Sequence, residues 1–154
     1  MAASTRGAEA SPAAKLQASI ARFEPGIQRL VRAVRSAVRK RFPTANELTY
    51  DYRHAVVISY SPTERGIDAV VAISGRADGV ALYFNQGARL PDPKGLLEGS
   101  ARQVRYITVT SARQLAHRDV KALLAAALAQ AKIPLARSGR GRLVSRPSSR
   151  KKAQ

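Results

Sequence analysis

The chain has 154 residues, 45% of them hydrophobic, and carries 27 Lys and Arg against 10 Asp and Glu, a formal net charge of +17. That is one domain's worth of apolar material, enough to bury roughly 65–70% of the extended chain's surface, and it excludes an acidic disordered chain and a collagen. The absence of cysteine excludes disulfides, thiolate nucleophiles, Cys-ligated zinc and iron–sulfur clusters.

The first 14 residues hold no apolar run of signal-peptide length and are expected to be a disordered leader. Leu16, Ile20 and Phe23 fall at helical spacing and predict a short helix over about 14–23. Pro25 suits the first turn of a second helix. There Ile27, Leu30, Val31, Val34 and Val38 form an apolar stripe, with Arg29, Arg32, Arg35, Arg39 and Lys40 around the other face. Pro43 ends it near Phe42. From Glu47 the pattern is that of strands, with segments at 54–61, 67–74, 79–84 and 103–110. Val56, Ile58 and Tyr60 share one face, as do Val80, Leu82 and Phe84, while Tyr83 and Tyr106 lie on the other. The connections are short, so neighbouring strands are expected to pair antiparallel. Ser111 is a helix-start signal. A last helix over 117–132 presents Val120, Leu123, Leu124, Ala127, Leu128 and Ala131. The expected fold class is α+β, a two-layer sandwich over 15–133 with the helices on one face of an antiparallel sheet.

Residues 134–154 carry seven basic side chains, no acidic one and little apolar material. They predict a disordered basic tail whose Arg137, Arg140, Arg142, Arg146, Arg150, Lys151 and Lys152 bind nucleic acid or another polyanion through phosphate neutralisation. The longest Ala/Leu-rich stretch falls far short of the ~20 residues of a membrane span. A cytoplasmic protein without a membrane partner is expected.

The stretch ALYFNQGARLPDPKGLLEGSARQVRYITV, 81–109, resembles the YdhG-like bacterial domain family, a family of unknown function. The matching residues are Phe84, Gly87, Ala88, Leu90, Asp92, Pro93, Leu96, Leu97, Glu98, Gly99 and Arg105. Upstream, Phe42-Pro43, Glu47 and Tyr50 are similar to the family's Pro…Glu…Tyr segment, and the likeness covers about 15–132. Tyr50-Asp51-Tyr52-Arg53 stands where the family reads Tyr-Gly-x-Pro. The resemblance implies a frataxin-like fold, and one family member has been described as an iron chaperone.

Three functional readings follow: a small binding domain with an anionic partner, an iron chaperone, and a sequence-independent nucleic-acid binder. The loop from Gly87 to Gly99 reads either as architecture, with both glycines at positive φ, or as a binding loop. Arg105 falls on the apolar face of its strand and is expected to pair with Asp92 or Glu98, pinning the loop or receiving an anion. Tyr83 and Tyr106 offer base-stacking rings or cross-strand packing, so Arg105, Asp92, Glu98, Tyr83 and Tyr106 form the candidate ligand site. His54 and His117 lack ligand spacing and the carboxylates are scattered, so no metal site or cofactor is expected. The absence of phosphate-loop, Gly-x-Ser-x-Gly and His-Glu-x-x-His motifs speaks against an enzyme.

Overall fold

The computed structural model describes residues 10–147. Two helices come first, α1 (Pro12–Ala21) and α2 (Pro25–Arg41). Ser11 caps α1 by accepting from the Ala14 N–H at 3.1 Å, and a proline occupies the first turn of each helix, where its missing N–H costs nothing. Five strands follow: β1 (Asn46–Asp51), β2 (Ala55–Ser61), β3 (Val71–Arg76), β4 (Gly79–Phe84) and β5 (Arg105–Val109). Ser111 and Gln114 then make a reciprocal capping box at a 3₁₀ turn, and α3 (Arg118–Gln130) begins where His117 Nδ1 accepts from the Asp119 N–H at 3.2 Å.

Neighbouring strands from β1 to β5 pair antiparallel. Register puts Tyr60, Ile58 and Val56 of β2 in line with Val71, Ile73 and Gly75 of β3, and Ile73 in line with Leu82 and then Ile107. This face meets Leu16 and Ile20 of α1, Val31, Val34 and Val38 of α2, and Val120, Leu123, Leu124 and Ala127 of α3 in one core. The molecule is thus α+β, with a six-stranded, mostly antiparallel sheet covered by helices on one face. On the other face Tyr83 pairs with Tyr106 across β4 and β5, their ring centroids 5.1 Å apart. Among the described residues no helix is long and apolar enough to cross a membrane.

The pattern 67–74 was expected as one strand, but its first residues turn instead. Gly66–Asp68 is a 3₁₀ turn that leaves Ile67 exposed, and β3 begins only at Val71. The Thr63 hydroxyl fixes this turn by donating to Asp68 at 2.8 Å.

The ends need a larger correction. The expected leader of 1–14 gives way to α1 from Pro12 onward; residues 1–9 lie outside the described residues. The expected tail of 134–154 contains a sixth strand, β6 (Leu143–Arg146), which pairs parallel with β1 and completes the order β5-β4-β3-β2-β1-β6. Composition hides it because its main partner is backbone. The outer edge of β1 offers unsatisfied N–H and C=O groups, and Leu143 adds an apolar side chain to the core. The approach is pinned upstream: Gly141 N–H donates to the Pro43 carbonyl at 3.1 Å and Glu47 N–H to the Arg142 carbonyl at 2.8 Å. Gly141 is required there, since a Cβ would run into the Ala45 carbonyl.

Candidate anion-binding cleft

Strand β1 begins with a buried carboxylate. Glu47 lies opposite Tyr60 in the β1–β2 ladder, so its side chain faces the helices and is only 4% exposed. A buried carboxylate is costly unless paired and hydrogen-bonded. Here Arg35 of α2 grips it bidentately, Nε to Oε2 and Nη2 to Oε1, both at 2.9 Å. The Tyr60 hydroxyl donates to Oε2 at 2.7 Å, and Arg39, one helical turn beyond Arg35, approaches Oε1 at 3.5 Å. The hydrogen bond to Glu47 raises the Arg35 pKa further above its ordinary value. Burial, reinforced by the Glu47 charge, pushes the Tyr60 phenol well above the ordinary tyrosine range.

That rise has a sign. The native state holds Tyr60 protonated more tightly than the unfolded chain does. Its stabilisation is therefore fully present below the unfolded pKa of about 10 and is lost as the pH rises through the elevated native value. Tyr60→Phe is expected to cost about 1.5–3 kcal/mol at pH 8, the range for a hydrogen bond to a charged group. Urea unfolding of both proteins checks this, and the gap between them should narrow above pH 10. A gap that widens there would contradict the assignment.

Above this network lies a cleft of about 680 Å³ between α1, α2, the start of β1 and the 139–141 segment. Among the described residues its charged lining is Arg32, Arg35, Arg39, Lys40 and Arg140, with Glu47 as the single carboxylate. Arg32 is held in place by donating to the side-chain oxygens of Gln17 at 3.0 Å and Gln28 at 3.2 Å. Lys40 and Arg140 have no partner for their charges among the described residues. Glu47 neutralises one of five cations and shares a second, so the cleft keeps a strong positive excess and attracts anions.

The residues expected to form a ligand site divide differently. Arg105 does not pair with Asp92 or Glu98. Its Nη1 donates to the carbonyls of Val104, at 2.8 Å, and Ala101. Asp92 is occupied elsewhere, accepting from the Leu96 N–H at 2.8 Å and the Leu97 N–H at 2.9 Å. Glu98 forms a backbone bridge to Tyr106, and its carboxylate accepts from the Thr108 hydroxyl at 3.4 Å. A carboxylate close to free N–H groups in its own loop satisfies them at less entropic cost than it can reach a distant guanidinium. Gly99 does take a positive φ, but Gly87 does not. Gly87 is needed because a Cβ would strike the backbone and Cβ of Arg105. Tyr83 and Tyr106 pack on each other, which is the cross-strand reading.

The basic tail residues also part company. Arg140 enters the cleft, whereas Arg142 pairs with Glu64. Arg146 ends β6, and its charge opposes the rise that burial produces in the Tyr50 pKa. Arg137 is exposed. Arg150, Lys151 and Lys152 lie outside the described residues. Among the described residues no three His, Cys, Asp or Glu side chains come together as a group able to hold a metal ion. The cleft itself escaped sequence reasoning, although Arg35 and Arg39 at i and i+4 with a following Glu47 carried a signal for it. Comparisons with protein-family models, curated proteins and solved structures find no match to this chain.

Proposed function

We propose that the chain is a small binding domain of the YdhG-like, frataxin-like type whose partner is a phosphate-bearing polyanion, with nucleic acid taken through its backbone rather than its sequence. The observation that carries this reading is the meeting of Arg140 with Arg32, Arg39 and Lys40 in one cleft. Cations on two separate segments, one a rigid helix, can flank a phosphodiester strand without the entropy cost that a disordered tail would pay. The buried Glu47 fixes the orientation of Arg35 and draws in Arg39, and Lys40 and Arg140 supply charge that the fold leaves unneutralised.

The test is binding of a fluorescently labelled duplex DNA oligonucleotide to the full chain over a range of salt concentrations. Each phosphate contact contributes about 0.9 to the slope of log affinity against log salt. Lys40→Ala combined with Arg140→Ala is expected to weaken binding and to reduce that slope by up to about 1.8, independent of the sequence chosen. An unchanged slope would remove the cleft from the binding surface.

A further inference from the structure

A second cavity shares no lining residue with the basic cleft. It has a volume of about 340 Å³ and opens where the C-terminal end of α3 meets the 65–70 loop and the turn after β4. Its floor is apolar and buried: Val70, Phe84, Leu90 and Ala127. Ile67 and Ile133, 77% and 42% exposed, also line it, and they are the only exposed large hydrophobic residues among those described. Apolar surface left in water is unfavourable, and its concentration beside a concave site marks a place where something binds.

The polar lining narrows the chemistry. Arg65, Arg89 and Lys132 all line the cavity, and none of the three side chains has a hydrogen-bond or ion-pair partner among the described residues. The one carboxylate in the lining among the described residues, Asp68, already accepts from Thr63. The cavity is preformed, because Gln130 at the end of α3 donates to the Arg89 carbonyl at 2.9 Å and so holds the turn against the helix. The volume stands at the small end of ligand cavities, roughly 300–1,000 Å³, which suits a short apolar body and not a long acyl chain.

We propose that this cavity binds a small organic carboxylate with a short apolar body, the body resting on Val70, Phe84, Leu90 and Ala127 and the carboxylate set among Arg65, Arg89 and Lys132. A phosphate ion offers the charge without the body, and a neutral amide the body without the charge. This site stands independently of the polyanion cleft.

Titration of the isotope-labelled full chain with octanoate, followed by amide chemical shifts, tests it. Saturable shifts are expected at Val70, Phe84, Leu90 and Ala127, with octanamide and inorganic phosphate binding at least about tenfold more weakly. Arg89→Ala with Lys132→Ala, both exposed positions, should weaken octanoate about tenfold, and Ala131→Phe, which fills the cavity, should abolish it. Lys40→Ala with Arg140→Ala should leave octanoate binding as it is. The proposal is overturned if no saturable shifts appear, if shifts appear only around Lys40, or if the Arg89 and Lys132 substitutions have no effect. It is equally overturned if Ile67 and Ile133 prove to be covered by a second copy of the chain, seen as a concentration-dependent dimer that takes no octanoate.

Discussion

Glu47→Ala is expected to lower the stability of the fold by about 3–5 kcal/mol, the usual cost of removing one partner from a buried ion pair. The loss arises less from the missing attraction than from what is left behind. The Arg35 side chain is 19% exposed and would keep its charge without a carboxylate to hold it. Tyr60, fully buried, would keep a hydroxyl whose acceptor is gone. Arg39 has a half-exposed side chain and can turn to water. Replacing the whole group by apolar residues, Glu47→Leu with Arg35→Met and Tyr60→Phe, should therefore recover most of the stability, while costing the cleft one of its cations. Urea denaturation of the single and triple variants measures both effects. A loss below about 1 kcal/mol for Glu47→Ala, within the range of a surface pair, would mean that the network contributes little.

The second large effect belongs to Gly141. Its backbone abuts the Ala45 carbonyl so closely that alanine cannot be placed there without backbone movement. Forcing a methyl group into packed atoms costs about 1–3 kcal/mol, and the chain can relieve that strain by letting β6 come away from β1. Gly141→Ala is thus expected to cost less global stability than Glu47→Ala, yet to speed hydrogen exchange at the Glu47 amide, which donates to Arg142, by about tenfold or more. The same substitution displaces Arg140 and should weaken polyanion binding. Exchange rates equal to those of the parent chain would show that the crossing at Ala45 tolerates the methyl group.

Much of the fold was legible because it is written in local periodicity. The apolar stripe of α2 and the alternation in β2 and β4 name their buried faces without reference to any other segment. The YdhG-like resemblance adds the expectation of a frataxin-like arrangement. The features that escaped are those decided by a distant partner. The polar text of β1, NELTYD, does not declare which side chains turn inward; only pairing with β2 places Glu47 beside Tyr60 under α2. Leu143 and Val144 are too few to stand out among the arginines, and β6 exists because an edge was open to it. Arg105 was expected to find an acid, but Asp92 is taken by N–H groups of its own loop and the Glu98 carboxylate accepts from Thr108 of β5.

The sheet order also sets a timetable. Each ladder from β1 to β5 joins strands that are neighbours in sequence, whereas the ladder between β1 and β6 joins segments almost a hundred residues apart, Glu47 with Leu143 and Tyr50 with Arg146. Contacts this remote wait for a long loop to close and tend to form late. During synthesis, at about 5–20 residues per second, β1 is made early and then spends several seconds with one side of its backbone uncovered. The strand that seals it also delivers Arg140 to the cleft, so the nascent chain acquires its protected edge and its completed basic surface in a single late step.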